Sequence, residues 1–135
     1  MWEHFHHQAD VGIRGIGQTL EEAFTEGAYA LSAVMCNPQK VRPRVPIQIR
    51  AEAADRELLF ADWLNQILYE IDTQKMFFSR FEICLENNSL TGTAWGEPAD
   101  PDRHESAVDV KAATYLMLKV NCQGDRWIAQ CVVDV

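Results

Sequence analysis

The chain has 135 residues, 47% of them hydrophobic and 10% aromatic, which fits one globular domain with its own core. Twenty acidic against twelve basic residues give a formal charge of −8, which disfavours direct nucleic-acid binding and favours a cation or a basic protein as partner. No stretch approaches the roughly 18 apolar residues of a membrane span, and the opening MWEHFHHQAD lacks the basic and then apolar run of a secretory signal, so we expect a cytoplasmic protein.

The first third of the chain predicts a strand followed by a helix. VGIRGIG (11–17) is typical of a strand that ends in glycines. Thr19 and Glu22 have the spacing of a capping box, in which each side chain satisfies a backbone amide at the helix start. An apolar stripe at three- and four-residue spacing then continues to Met35, and Pro38 ends the helix.

The middle of the chain predicts a strand, a second helix and a hairpin. VPIQIRA (45–51) alternates apolar and polar residues, as a half-buried strand does. Asp55 is placed to cap a helix over RELLFADWLNQILYEI (56–71), which has a broad apolar face. FEICLE and LTGTAWG flank a turn at 87–88, and a polar loop follows over 96–104.

The last part of the chain has the clearest period-two pattern. Apolar residues, with Thr114 as the one exception, occupy every second position over 108–122, which predicts one long strand, and a turn at 123–125 leads into a final strand near WIAQCVVDV. The order of elements predicts an α+β fold: a two-layer single domain over residues 1–135, a mainly antiparallel sheet with two helices packed on one face.

The four cysteines are expected to be buried free thiols. They never form a C-x-x-C pair, and each lies in a mostly apolar stretch. They are Cys36, Cys84, Cys122 and Cys131.

The two ends of the chain carry the candidate chemistry. His7 and Asp10 are competent metal ligands, and in a strand His7 would face away from His4 and His6. Asp134 lies beside the terminal carboxylate of Val135, and two such anions repel each other unless a hard cation separates them. Solvated histidines, an Asx turn at Asp10 and a frayed tail are the alternatives.

Other polar residues leave further functions open. Lys111 is most simply a surface lysine, and Glu97 and His104 border the polar loop. No G-x-S-x-G, Walker A, H-E-x-x-H or C-x-x-C motif is present. A small metal-dependent hydrolase or ligand-binding domain would use Asp10, His7, Asp134 and Glu97, and a chaperone-like interaction module is the third alternative.

Five blocks of this sequence resemble the archease family. They are HQADVGIRG, AADRELLFADWLNQILYEID, LTGTAWGE, VKAATY and VVDV, in the family's order over nearly the whole chain. Gln8 stands where the family usually has threonine. Leu116 stands where a histidine commonly follows the tyrosine, so no histidine acts at that point here.

The resemblance implies a non-catalytic activator of the RtcB-type RNA ligase. That enzyme joins RNA 3′-phosphate or 2′,3′-cyclic phosphate ends to 5′-hydroxyl ends in tRNA splicing and RNA repair, and archeases promote its guanylylation and repeated turnover. By resemblance, Asp10, Asp134 and the terminal carboxylate of Val135 match a divalent-cation site, usually for calcium, with magnesium or manganese as alternatives. Lys111 matches the lysine needed for ligase activation, and His7 a histidine beside the metal ligands. No direct nucleic-acid binding and no membrane association are expected.

Overall fold

The computed structural model describes all 135 residues, which form eight strands, two α-helices and a short 3-10 helix, Pro38–Lys40. The helices are α1, Leu20–Met35, and α2, Arg56–Gln74. The strands are β1 Trp2–His7, β2 Asp10–Gly17, β3 Val45–Glu52, β4 Met76–Glu86, β5 Ser89–Pro98, β6 Ala112–Ala113, β7 Lys119–Gln123 and β8 Arg126–Asp134. All strand pairs are antiparallel, so the predicted α+β class with mainly antiparallel pairing is confirmed.

The strands divide into two sheets where the sequence predicted one. The larger sheet has the order β1-β2-β8, with both β6 and β7 pairing with β8; the smaller has the order β3-β5-β4. Each helix contacts both sheets: α1 packs on β2 and β4, and α2 on β3 and β6. The helices thereby join the two sheets around one contiguous core of buried apolar side chains.

Close packing of α1 on β2 depends on glycine. A Cβ on Gly15 would overlap the carbonyl oxygen of Ala23 and the amide nitrogen of Gly27. The start of α1 has the predicted capping geometry, since the Thr19 hydroxyl accepts from the Glu22 amide at 3.1 Å. The Glu22 carboxylate accepts in turn from the amide of Gln18, one residue earlier than the capping box predicts.

The second helix and the hairpin are found where they were predicted, but the helix and both strands are longer than the predicted segments. Asp55 caps α2 by accepting from the Leu58 amide at 2.9 Å, and the helix continues to Gln74. β4 begins at Met76, before the predicted FEICLE segment, and β5 extends to Pro98, into the predicted loop. The turn at 87–88 is confirmed.

The prediction of one long strand over 108–122 is wrong. Only β6 and β7 are strands there. Residues 114–118 form a loop between them, named here the 114–118 loop, which lies along the edge of β8. The Thr114 amide donates to the Val132 carbonyl and the Val132 amide donates to the Leu116 carbonyl, both at 3.0 Å. Val110 and Val120 are buried as the pattern predicts, whereas Val108 and Leu116 of the same pattern are exposed, so the alternation does not define one buried face.

Two of the four cysteines are buried as predicted and two are not. Cys36 and Cys131 lie in the core, Cys84 and Cys122 are exposed, and all four are free thiols. Burial raises the pKa of Cys36 and raises that of Cys131 to about 12, so both carry their proton at neutral pH. Neither α1 nor α2 combines the length and apolarity that a membrane crossing needs.

Candidate functional site

The two ends of the chain meet at one end of the larger sheet. β2 begins at Asp10 and β8 ends at Asp134, and the antiparallel pairing of Val11 with Val133 sets these two residues side by side. The Val135 amide donates to a carboxylate oxygen of Asp10 at 3.4 Å. Asp10, Asp134 and Val135 therefore lie side by side, and the three carboxylates that they carry are named here the chain-end site. Asp10 starts a strand and does not form the Asx turn considered above, and β8 is paired almost to its end.

Lys111 lies at the same end of the sheet. Its amide donates to the carbonyl oxygen of Asp134 at 2.8 Å, and Ala112 pairs with Asp134 in β6. The Lys111 side chain is exposed and makes no ion pair or hydrogen bond within the chain. Its backbone is therefore fixed beside the chain-end site while its amine remains free for a partner.

Asn65 on α2 holds β6 in place, a role that sequence reasoning missed. Its side-chain amide donates to the Ala113 carbonyl at 3.1 Å and accepts from the Ala113 amide at 2.8 Å. These are the two hydrogen bonds that a neighbouring strand would supply. An asparagine on a half-buried helix face gives no such signal in sequence, although this one lies in a block that resembles the archeases.

His7 lies on the face of the sheet that carries Asp10, and His4 lies on the opposite face. His7 pairs with Asp10 across the β1–β2 hairpin, so the two side chains share a face of the sheet. The Nδ1 atom of His7 is buried without a hydrogen-bond partner. His4 faces α1, where its Nε2 donates to the Ala30 carbonyl at 2.8 Å, as the predicted opposite orientation requires.

Glu97 and His104 form a separate buried cluster. Glu97 lies on β5 of the smaller sheet, and its Oε2 atom accepts from the Arg42 amide, from Arg103 and from Nε2 of His104 at 2.8–2.9 Å. Burial by itself raises the pKa of the Glu97 carboxyl, but these three donors outweigh it and lower the pKa to about 2. Since its acceptor oxygen is already occupied and it lies on the other sheet, Glu97 contributes nothing to the chain-end site.

The donor set of the chain-end site suits a hard cation. Its three carboxylates are oxygen ligands of the kind that calcium prefers, and His7 pairs with Asp10 across the neighbouring hairpin. No group of three or more His, Cys, Asp or Glu side chains in the chain is arranged to hold a metal. A metal here would therefore depend on the terminal carboxylate as well as on the two aspartates.

A cleft of about 760 Å³ opens beside Lys111. It lies between the second half of α2 and the segment 109–111, with Asn65 and Tyr69 among its lining residues and both apolar and polar side chains on its surface. The site thus combines an acidic tip, one free amine and an open cleft.

Fold and site together define a small α+β protein of two antiparallel sheets whose two chain ends build an acidic surface. Residues 2–135 match the Archease protein family (MTH1598/TM1083). The chain therefore belongs to the archease family.

Relatives and solved structures agree over the full length. The chain is 42% identical to the protein archease of Pyrococcus furiosus, covering 99% of this chain and 98% of the relative. It is 38% identical to that of Sulfurisphaera tokodaii, with the same coverage. The solution structure of Methanobacterium thermoautotrophicum protein 1598 has a TM-score of 0.80 at 31% identity, covering 99% of this chain and 98% of that one. A Thermotoga maritima crystal structure described as an archease, possible chaperone, has a TM-score of 0.66 at 22% identity over 97% and 94%, which shows the fold alone.

Proposed function

We propose that this protein is a non-catalytic activator of an RtcB-type RNA ligase, acting in the cytoplasm in tRNA splicing and RNA repair. The observation that carries the proposal is the convergence of Asp10, Asp134, Val135 and Lys111, which the archease resemblance implicates, at one end of one sheet. The chain contributes this surface to the ligase active site, promotes ligase guanylylation and allows repeated turnover. The ligase performs the chemistry and binds the RNA.

A divalent cation, calcium in the first instance, is held by the Asp10, Asp134 and Val135 carboxylates. When bound, the cation supplies positive charge that removes the repulsion between these anions and that a phosphate group can approach. The register of β2 with β8, which sets Asp10 beside Asp134, supports this assignment, and His7 lies opposite Asp10 on the same face of the sheet. Magnesium and manganese are the alternative ions.

Lys111 provides the charged contact to the ligase. Its backbone is anchored to Asp134 and its amine is unpaired, so the side chain can extend to an anionic group without breaking a contact within the chain. The acidic surface of the protein is attracted to a basic cleft, and charge complementarity speeds such encounters. The Lys111 ammonium group is the one unpaired positive group at this contact surface.

The test is multiple-turnover ligation of a 3′-phosphate RNA to a 5′-hydroxyl RNA by the ligase of the same organism, with GTP and manganese. Substoichiometric wild-type protein should accelerate ligation, and Asp10→Ala, Asp134→Ala and Lys111→Ala should each abolish the acceleration while the fold is retained. Asp125→Ala, in the turn at the opposite end of β8, and Lys40→Ala are the matched controls and should activate normally.

Three results would contradict the proposal. Full activation by the Asp10 and Asp134 variants would remove the chain-end site from the function. Chelator-sensitive phosphoester hydrolysis by the isolated protein would favour the hydrolase. Metal-independent partner binding without ligase activation would favour the chaperone-like module.

A further inference from the structure

The 114–118 loop exposes three consecutive large apolar side chains. Tyr115 is 70% exposed, Leu116 49% and Met117 47%. The other exposed large apolar residues of the chain are isolated from one another in sequence, and the loop contains no charged residue. Single exposed apolar residues are ordinary on protein surfaces, whereas a contiguous apolar patch marks an interaction site.

The loop is held in a defined conformation by backbone hydrogen bonds to β8. Both the amide and the hydroxyl of Thr114 donate to the Val132 carbonyl, and the Val132 amide donates to Leu116. The Leu118 amide closes the turn by donating to the Tyr115 carbonyl at 3.2 Å. Its apolar side chains are therefore presented on a fixed backbone, which lowers the entropy lost on binding.

A line of side chains across the larger sheet supports the tip of the loop. Glu3 pairs with Arg14, Arg14 Nε donates to the Gln130 side chain at 2.9 Å, and Gln130 donates to the Met117 carbonyl at 3.2 Å. Met117 itself has φ of 54°, a left-handed conformation that is strained for a long side chain. Strain of this kind persists where surrounding contacts enforce it, and it is concentrated at functional sites.

The loop continues the surface of the chain-end site. Lys111 binds Asp134 and the loop binds Val132, so both lie on the same edge of β8 within a few residues. A partner large enough to contact Lys111 and the chain ends would also contact the loop. The charge of −8 opposes docking of a second copy of this acidic chain at the same surface.

We infer that the 114–118 loop is the docking element for the ligase, inserting Tyr115, Leu116 and Met117 into an apolar hollow beside the ligase active site. The inference rests on the proposed function and divides it into two parts: the apolar loop supplies affinity, while the chain-end site and Lys111 supply activation. Central apolar anchors commonly carry most of the binding energy of an interface, with charged groups around them.

Leu116→Asp and Met117→Gly test this division. Glycine adopts the left-handed conformation of position 117 freely, so the second variant removes the side chain without adding strain. The half-activating concentration for ligation and the dissociation constant for the ligase, measured by calorimetry, should each rise about tenfold or more. Maximal stimulation at saturating variant should equal that of wild type. The control is Val45→Asp, a residue 42% exposed on β3 of the smaller sheet, which should titrate as wild type.

The outcomes separate the two proposals. Unchanged titration by both loop variants, or a fall in maximal stimulation without a change in affinity, overturns the docking role. A wild-type dimer in sedimentation that Leu116→Asp dissolves also overturns it, because the loop would then bind a second copy. If wild type fails to stimulate an active ligase, the proposed function falls, and the calorimetric affinities of wild type and Leu116→Asp decide the docking role alone.

Discussion

One side chain, Asn65, supplies the pairing that β6 lacks on the side facing α2. β6 has only two residues and one neighbouring strand, β8, so its other edge would be left without hydrogen bonds. The Asn65 amide makes both bonds to Ala113 and so fixes the segment that carries Lys111. Its effect on function is through position, since it touches neither the cation ligands nor the free amine.

Asn65→Ala should lower the free energy of unfolding by about 1–3 kcal/mol, because it leaves the half-buried backbone groups of Ala113 unpaired. Activation of the ligase should fall as well, because Lys111 is no longer held. Urea unfolding and the ligation assay measure the two effects. Asn65→Asp keeps the acceptor and loses the donor, so its stability and its activation of the ligase should fall between those of wild type and those of Asn65→Ala. Gln66→Ala, the neighbouring residue bonded only to Asp62, is the control, and an Asn65→Ala variant that behaves like it would refute the positioning role.

The lowered pKa of Glu97 makes the free energy of unfolding depend on pH. Its pKa is lowered on folding from 4.5 to about 2, so the folded state gains stability at every pH above 4.5 and loses it as the pH falls from there to 2. The contribution is about 3 kcal/mol at neutral pH. Glu97→Gln should therefore unfold at lower urea at pH 7 and should lose less stability than wild type between pH 4.5 and pH 2.

The control for this titration is Glu86→Gln, an exposed residue at the end of β4 with no hydrogen-bond partner. It should match wild type throughout the pH range. Parallel acid-unfolding curves for wild type and Glu97→Gln would show that the buried cluster does not depend on the ionised carboxyl.

At the scale of elements, the sequence predicted the helix caps and the turn, but it did not predict which segments pair as strands. The caps at Thr19 and Asp55 and the turn at 87–88 depend on residues within four positions of one another, and all three are found. The pattern over 108–122 is the same for a paired strand and for an extended segment. Its interruption depends on Val132, which the sequence alone does not connect with the loop.

The candidate site divides in the same way. Residue chemistry suggested carboxylates and a cation, but the meeting of Asp10 with Asp134 depends on the pairing of β2 with β8 across almost the whole chain. Only resemblance to a family suggested it from sequence. The bonding of Asn65 to Ala113 and the conformation of the 114–118 loop had no sequence signal, because both depend on contacts between distant segments.

Contact between α1 and β2 sets a sharp steric limit at Gly15. Its added Cβ would meet backbone atoms of α1, which cannot move aside as a flexible side chain can. Gly15→Ala should therefore destabilise the protein by about 2–3 kcal/mol through displacement of the helix. Gly124→Asn is the control, since that glycine faces open space and asparagine tolerates its left-handed φ of 65°. A Gly15→Ala variant as stable as Gly124→Asn would show that α1 shifts at little energetic cost.

At the scale of the whole molecule, the chain-end site lies at one end of the larger sheet, where residues from the two ends of the chain come together. The β1–β2 hairpin and β8 are far apart in sequence, and three carboxylates meet where they end. In a protein of charge −8 this concentration of like charge is unfavourable by itself. A bound cation would turn that repulsion into a link between the two ends.

Calcium should therefore raise the thermal unfolding midpoint of the wild-type protein, and the chain-end aspartates should decide whether it does. A ligand that binds only the folded state stabilises it by about 2.7 kcal/mol at a hundredfold excess over its dissociation constant, which corresponds to several degrees. Asp134→Asn removes one ligand and one repelling charge. Without metal its midpoint should equal or slightly exceed that of wild type, and with calcium it should not rise. Asp125→Asn, at the other end of β8, should respond to calcium as wild type does. An equal calcium response in wild type and Asp134→Asn would place the ion elsewhere. If three carboxylates share one cation, the unfolding midpoint of Asp134→Asn should be equal to or above that of wild type without calcium and below it with calcium.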